Sequence, residues 1–165
     1  MTGLLAKFIS LFLPRGDAAV EPASLGDAAA LARLHKASFH RGWDAGEFEQ
    51  LLTDRSVLAH RLRRGRKVVG FILSRMAADE AEILSVAVAP DQRGRGLSRG
   101  LVHTHLGYLA GLGIRAVFLE VEENNAPARA LYTRAGFHTV GRRERYYKDN
   151  SGTQLNAIVM RRDLS

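Results

Sequence analysis

The sequence has 165 residues, of which 46% are hydrophobic and 25% are charged. This length and composition suit one domain with a single core, and they exclude a disordered chain and a pair of independent domains. The absence of cysteine excludes disulfides, thiolate metal ligands and a cysteine nucleophile, and it fits a cytoplasmic protein. The formal net charge of +7 suits a nucleic acid, a polyanionic small molecule, a membrane or a ribosomal particle.

Residues 1–17 are predicted to form an N-terminal extension to a domain that spans residues 18–165. Apolar side chains recur there at helical spacing: Leu4, Leu5, Phe8, Ile9 and Phe12. The apolar run is shorter than a membrane span, Lys7 interrupts it, and no small-residue cleavage site follows. We therefore expect an amphipathic helix that packs on the domain or on a partner, in preference to weak contact with a membrane.

The first half of the domain changes from helical to strand periodicity. A short strand is predicted at Ala18–Pro22, and two helices follow, each with a capping pair, Ser24 with Asp27 and Asp44 with Glu47. The apolar face of the first helix is assigned to Leu25, Ala28, Leu31, Ala32 and Leu34. Three strands are then predicted at residues 56–62, 67–76 and 82–89. Short turns separate them, so we expect an antiparallel meander.

The second half alternates helices with strands. Its predicted elements are a helix from Leu97 closed by Gly111 and Gly113, a strand over 115–121, a helix capped by Asn125 and ended by Gly136, and strands over 137–148 and 154–161. The complete order is strand, two helices, three strands, helix, strand, helix and two strands. This order predicts an α/β fold in which a mixed, mostly antiparallel sheet of six to seven strands is flanked by about four helices.

A loop rich in glycine and arginine, Arg93 to Gly100, lies between a strand and a helix. Glycines let backbone amides turn inward, and the start of a helix presents free N–H groups with a partial positive charge. Arg93, Arg95 and Arg99 add full charges, so a diphosphate is the natural ligand. The P-loop and GxGxxG patterns both fail, because no GK[ST] is present and the third glycine position is Arg99. A solvated basic turn and an RNA-contacting segment stay open as alternatives.

Glu120 interrupts an apolar strand near its carboxyl end. The strand is apolar on both faces, which predicts that both faces are covered. In open α/β sheets the ligand crevice lies outside the carboxyl ends of the strands. A partly desolvated carboxylate there could serve as a base near neutral pH. The alternative is a carboxylate that is exposed to water or paired with an arginine.

Tyr132 is predicted on the next helix, where a tyrosine more often packs than reacts, although its hydroxyl could donate a proton to a leaving group. The histidines suggest little, and His103 and His105 point away from each other on one helix. The sequence contains no HExxH motif and no histidine cluster. No metal site is therefore predicted.

Four stretches resemble the GNAT superfamily of acetyltransferases, and within it the bacterial RimI type, over about residues 20–164: ADEAEILSVAVAP, RGRGLSRG, LEVEENNAPARALYTRAGF and GRRERYY. The loop departs from the family pattern Q/R-x-x-G-x-G/A at Ser98, where the side chain is small enough to keep the loop. The resemblance implies the GNAT fold and an acetyl-CoA-dependent N-acetyltransferase. The RimI type further implies a protein N-terminal alanine, on a ribosomal protein, as the acceptor.

The resemblance also implies residue roles. Glu120 matches the general base, acting through water, and Tyr132 matches the general acid for the departing thiolate, in contact with the cofactor. The other cofactor-binding positions that it implies are Val86, Ala87 and Val88 for the pantetheine, Arg93, Gly94, Arg95, Gly96, Leu97, Ser98 and Arg99 for the diphosphate, and Asn125 near the reactive end. Trp43, Tyr146 and Tyr147 match positions that line the acceptor groove.

Three alternatives to this function stay open. The acceptor could be a small amine or a lysine side chain, on the same fold. A non-catalytic RNA- or ribosome-binding module would explain the positive charge, but the joint presence of Glu120, Asn125 and Tyr132 argues against it. An acyl-CoA sensor without turnover is the third alternative, and no DNA partner is expected.

Overall fold

A seven-stranded mixed sheet forms the centre of the computed structural model. The structure describes residues 18–149 and 151–164, without the side chains of residues 145–147. The strands are β1 (Ala18–Pro22), β2 (Val57–Arg64), β3 (Lys67–Ala77), β4 (Glu80–Val88), β5 (Ala116–Glu122), β6 (His138–Lys148) and β7 (Gln154–Asp163). Their spatial order is β1-β2-β3-β4-β5-β7-β6, and among these described strands β4 and β5 are the one parallel pair. The predicted mixed, mostly antiparallel sheet is confirmed, whereas the helix predicted near the N-terminus lies outside the described residues.

In the part of the chain that the structure describes, four α-helices flank the sheet: α1 (Ala28–Ser38), α2 (Ala45–Thr53), α3 (Leu97–Gly111) and α4 (Ala126–Arg134). The capping box at α2 is formed as predicted, because the Glu47 N–H donates to Asp44 Oδ1 at 2.9 Å and the Asp44 N–H donates to Glu47 Oε2 at 2.8 Å. No helix among the described residues combines the length and apolarity needed to cross a membrane.

The prediction for Leu25 is wrong. The Ser24 N–H donates to Asp27 Oδ2 at 2.8 Å, so the capping pair is present. The pair opens a 3₁₀ turn at Leu25–Asp27, however, and α1 begins only after that turn. Leu25 is 52% exposed, because the tighter turn rotates it away from the face that Leu31 and Leu34 bury.

The sheet separates two helical layers. Phe71 of β3 faces α1 and α2, where its ring lies 5.4 Å from the ring of Phe48. Three residues further along the same strand, Ser74 faces α3 and contacts His105. Side chains alternate between the faces of a strand, so an odd separation places these two on opposite sides. The core therefore has two layers, with α1 and α2 on one face and α3 on the other.

Candidate active site

A gap between the two parallel strands organises the site. β4 and β5 pair only from Glu80 with Ala116 to Ile83 with Leu119. Beyond that point β4 continues to Val88 beside β3, and β5 continues to Glu122 beside β7. The register between β3 and β4 shifts at Leu84, which bends β4 where the gap opens. The backbone of Val86 to Val88, predicted to bind pantetheine, therefore borders an opening in the sheet.

The loop after β4 has the conformation that its glycines predict. Gly94 and Gly96 have φ values of 77° and 73°, in the left-handed region, and Gly96 is the residue directly before α3. The first N–H groups of a helix have no partner within the helix, so α3 presents donors and a partial positive charge to the loop. The predicted succession of strand, glycine loop and helix is confirmed.

A pocket of about 310 Å³ lies between this loop and α4, and we call it the loop pocket. Its lining residues are Gln92, Arg93, Gly94, Gly96, Leu97, Ser98, Arg99, Pro127, Leu131 and Arg134. Ser98, which departs from the family pattern, lies in this lining and is half-buried. Backbone donors and arginines thus surround a space in which an anion would be stabilised.

The arginines of the loop differ in their contacts. Arg93 Nε donates to the backbone oxygen of Val88 at 3.2 Å, and its Nη2 donates to Ser38 Oγ at 3.1 Å. Arg93 therefore braces the loop against β4 and α1 in addition to lining the pocket. Within residues 18–149 and 151–164, Arg95 and Arg99 are exposed and form no hydrogen bond or ion pair. Their charges are available to a ligand.

Replacing Gly96 by alanine is expected to destabilise the protein by about 1–2 kcal/mol, since a left-handed backbone is costly for any residue with a Cβ. Open space surrounds the position, so strain and not a clash would cause the loss. The matched control is Gly100→Ala in α3, which also meets open space and should stabilise by about 0.5–1 kcal/mol. Urea denaturation of both variants measures the difference, and equal effects would contradict this account.

A second pocket, of about 570 Å³, lies on the side of α2, and we call it the acidic pocket. Its lining residues are Trp43, Glu47, Gln50, Leu51, Asp54, Arg75, Glu82, Ile83, Leu84 and Glu120. Four carboxylates face one guanidinium there, so the pocket favours a cationic ligand over a neutral or anionic one.

Glu120 lies in the acidic pocket at the mouth of the gap, with a side chain that is 16% exposed. Its Oε1 is 3.0 Å from Arg143 Nη1. The sequence had left open a carboxylate paired with an arginine, and the structure contains that pair. Arg143 belongs to β6 and reaches across β7, which separates β6 from β5. The arginine side chain is 56% exposed, so this ion pair lies at the edge of solvent.

The prediction that both faces of this strand are covered holds for one face and only in part for the other, where Ala116 is buried but Phe118 is not fully covered. Val117, Leu119 and Val121 are buried, but on the face of Glu120 the ring of Phe118 is only half-buried, with Arg161 Cζ 5.1 Å from its centroid. Among the residues that the structure describes, no helix seals the Glu120 end of that face, because the acidic pocket opens there.

Trp43 lies in the same pocket as Glu120, in the loop between α1 and α2. The ring of His35 stacks on its indole at 4.5 Å, and His35 Nδ1 accepts a hydrogen bond from the backbone N–H of Trp43 at 3.0 Å. Burial lowers the pKa of His35 to about 4, which keeps the ring neutral and able to accept that bond. The position predicted for Trp43 fits a wall of the acceptor groove. Tyr146 and Tyr147 belong to β6, and their side chains lie outside the described residues.

Tyr132 and Asn125 lie apart from the acidic pocket. Tyr132 is 9% exposed, packs edge-on against Phe137 at 5.9 Å, and lines neither of the two pockets. Asn125 caps α4, since its Oδ1 accepts from the Ala128 N–H at 3.2 Å. The structure therefore brings Glu120 to Trp43 and the loop to α4, and the roles of Tyr132 and Asn125 toward the cofactor stay predictions.

A buried pair of histidines was not expected from the sequence. His60 of β2 and His105 of α3 have their Nδ1 atoms 2.7 Å apart, and His105 Nε2 is 2.7 Å from Ser74 Oγ. His105 does occupy the apolar stripe of α3 with Leu101 and Leu109, which was the available signal for its burial. Its partner is 45 residues away, so helical spacing carried no signal for the contact. Within the described residues no cluster of side chains suits a metal ion.

Comparison with known proteins identifies the family. The profile of the acetyltransferase (GNAT) family matches residues 28–137, so the chain belongs to that family. Like its family, it is an N-acetyltransferase whose acetyl donor is acetyl-CoA, and the loop pocket offers the free N–H groups and arginines that a diphosphate requires.

Two similar proteins carry a specific name. The chain is 34% identical over 100 residues to the [ribosomal protein bS18]-alanine N-acetyltransferase of Haemophilus influenzae, covering 61% of this chain and 68% of the relative. It is 38% identical over 105 residues to N-alpha-acetyltransferase RimI of Mycobacterium tuberculosis, covering 61% and 63%. The crystal structure of the ribosomal-protein-S18-alanine N-acetyltransferase from Escherichia coli superposes with a TM-score of 0.85 at 27% identity, covering 90% of this chain and 95% of that one. The expected GNAT fold is thereby confirmed.

Proposed function

We propose that this acetyltransferase modifies the N-terminal α-amine of a protein in the cytoplasm, with an alanine-first ribosomal protein as the acceptor. The observation that carries the proposal is the position of Glu120, in a negatively charged pocket at the mouth of the gap between β4 and β5. The names of the similar Haemophilus and Escherichia proteins support the choice of acceptor.

The pKa of the acceptor amine favours a chain terminus over a lysine side chain. A peptide α-amine has a pKa near 8 and a lysine near 10.4. Deprotonation at neutral pH costs about 1.4 kcal/mol for the first and about 4.6 kcal/mol for the second. A single carboxylate can offset the smaller of these two deprotonation costs more readily, so a terminal amine is the easier acceptor.

In the proposed mechanism both substrates are bound together, and the amine attacks directly. Bound acetyl-CoA supplies an activated thioester. The loop and the start of α3 would hold its diphosphate, and the edge of β4 beyond Ile83, where pairing with β5 has ended, would orient its pantetheine arm. Glu120 removes a proton from the acceptor amine through a water molecule. The acceptor ammonium enters the acidic pocket, where the carboxylates replace part of its hydration.

Tyr132 is the proposed proton donor to the departing thiolate. We expect Tyr132→Phe to lower kcat about 10- to 100-fold, at or below the usual range for acid–base groups, since a thiolate leaves fairly easily without help. The phenylalanine keeps the packing against Phe137, so the thermal midpoint should hold. Steady-state thiol release measures turnover, and a kcat equal to that of the wild type would remove Tyr132 from this role.

The proposed function is tested by thiol release from acetyl-CoA with a panel of acceptors. The panel contains alanine-first peptides, the same peptides with blocked N-termini and one internal lysine, and small polyamines. We expect the highest kcat/KM for the free alanine-first peptides. Preference for polyamines or blocked peptides would replace the proposed acceptor by a small amine or a lysine. Salt-dependent RNA binding without thiol release would indicate the non-catalytic module.

A further inference from the structure

The loop pocket contains more positive charge than a diphosphate needs. Arg93 and Arg99 line it from the side of the loop, and Arg134 lines it from the last turn of α4. Arg134 is exposed and has no hydrogen bond or ion pair with any other residue that the structure describes. Pro127, Leu131 and Arg134 are spaced by four and three residues, so they share one face of α4 and form the wall opposite the loop.

We infer that Arg134 binds the 3′-phosphate of coenzyme A and makes the enzyme selective for that form of the donor over its 3′-dephospho form. The inference rests on acetyl-CoA as the donor and is independent of the acceptor proposed above.

The order of chemical groups around the pocket supports this choice of phosphate. The free N–H groups behind Gly94 and Gly96, together with Arg99 in the first turn of α3, suit the diphosphate. The opposite wall is apolar at Pro127 and Leu131 and cationic at Arg134. Coenzyme A presents its groups in a similar succession, because the ribose, which carries the adenine as a side branch, joins the diphosphate to the 3′-phosphate.

Charge favours the same assignment. A phosphate monoester carries about −1.5 to −2 at neutral pH, more than either phosphate of a diester-like diphosphate. A guanidinium can form two parallel hydrogen bonds to such a group, which is the geometry arginine offers and lysine lacks. Arg134 has a simpler possible role, since a cation in the last turn of a helix stabilises the helix dipole. That role would change the stability of the protein but not its choice between two ligands.

The test is calorimetric titration of the full chain with coenzyme A and with 3′-dephospho-coenzyme A, which needs neither acceptor nor turnover. We expect the wild type to bind coenzyme A about tenfold tighter than the dephospho form, the low end for a charge-assisted contact because Arg134 is exposed. In Arg134→Ala the two ligands should bind equally within about twofold, and the affinity for the dephospho form should stay that of the wild type.

Arg99→Ala is the matched control. It removes a charge from the same pocket but on the side of the diphosphate. The affinities for coenzyme A and for the dephospho form should therefore fall together, and the ratio of the two affinities should be preserved. Arg134→Lys should retain only part of the discrimination. The inference is overturned if the wild type does not distinguish the ligands, or if Arg134→Ala keeps the wild-type ratio. Failure of the wild type to bind either ligand would overturn the donor assignment as well.

Discussion

Glu120→Gln is expected to lower kcat about 100- to 1,000-fold with a terminal-amine peptide, while the affinity for acetyl-CoA changes by less than about twofold. Glutamine keeps the size of the side chain and can still accept a hydrogen bond from Arg143, but it cannot take the proton of the acceptor amine. Glu120 lies in the acidic pocket and not in the loop pocket, so donor binding should be preserved. Steady-state thiol release and calorimetric titration with coenzyme A measure the two quantities.

Glu82→Gln is the matched control for this prediction. Glu82 lines the same pocket from β4, is exposed, and loses the same charge on substitution. It should raise KM for a cationic acceptor with little effect on kcat, because it changes the field of the pocket and removes no proton acceptor. Equal loss of kcat in both variants would mean that Glu120 acts only through its charge, and unchanged turnover in Glu120→Gln would remove it as the base.

The second large effect expected is a loss of stability in acid. Three histidines are almost completely buried, and burial lowers the pKa of His35 and His60 to about 4 and that of His105 to about 3. His60 adds to the effect on His105, since two rings in contact cannot both be charged cheaply. The unfolded chain binds protons at these groups near pH 6.5, whereas the folded chain stays neutral there. Stability is therefore complete above that pH and falls as the pH is lowered toward 4.

The size of this loss follows from proton linkage. At about pH 5 each histidine favours the unfolded state by about 2 kcal/mol, so the three together reach about 4–6 kcal/mol. A loss of that size is comparable to the whole stability of an ordinary domain. Urea denaturation at about pH 7.5 and at about pH 5 measures it directly.

Two variants locate the origin of the acid effect. His103→Gln, on the exposed side of α3, should leave the pH dependence unchanged. His105→Gln removes one buried titrating ring and relieves His60 of a neighbour that can be charged, so the loss in acid should shrink by about a third or more. A stability that stays flat across this pH range would show that the buried histidines do not govern it.

The order of helices and strands could be predicted because each boundary carries a local signal. Asp44 with Glu47, Asn125 and Gly136 mark helix ends where the structure has them, and the helix predicted from Leu97 begins at that residue. Strand ends were less accurate: the strand predicted over residues 56–62 extends through Arg64, because the ladder with β3 continues to the tight turn at Gly65. Leu25 was misplaced because the capping signal does not distinguish a 3₁₀ turn from an α-helix.

The candidate site was predictable only in part, because its contacts join distant segments. Glycine spacing predicted the loop, and the odd carboxylate in an apolar strand predicted Glu120. The ion pair between Glu120 and Arg143 depends on β7 lying between β5 and β6, which the order of elements along the chain does not determine. The carboxylates of the acidic pocket come from α2, β4 and β5 and from the residue after α2, so only the folded arrangement shows that they share one cavity.

The opening between β4 and β5 has a steric consequence. The acidic pocket is bounded by α2, which packs on one face of the sheet. The loop pocket is bounded by α3, which packs on the opposite face. In the proposed mechanism, donor and acceptor would therefore enter from opposite faces of the sheet and meet at the gap between β4 and β5. A folded acceptor protein could then remain outside while only its N-terminal residues enter the acidic pocket. Bound coenzyme A would not block their path.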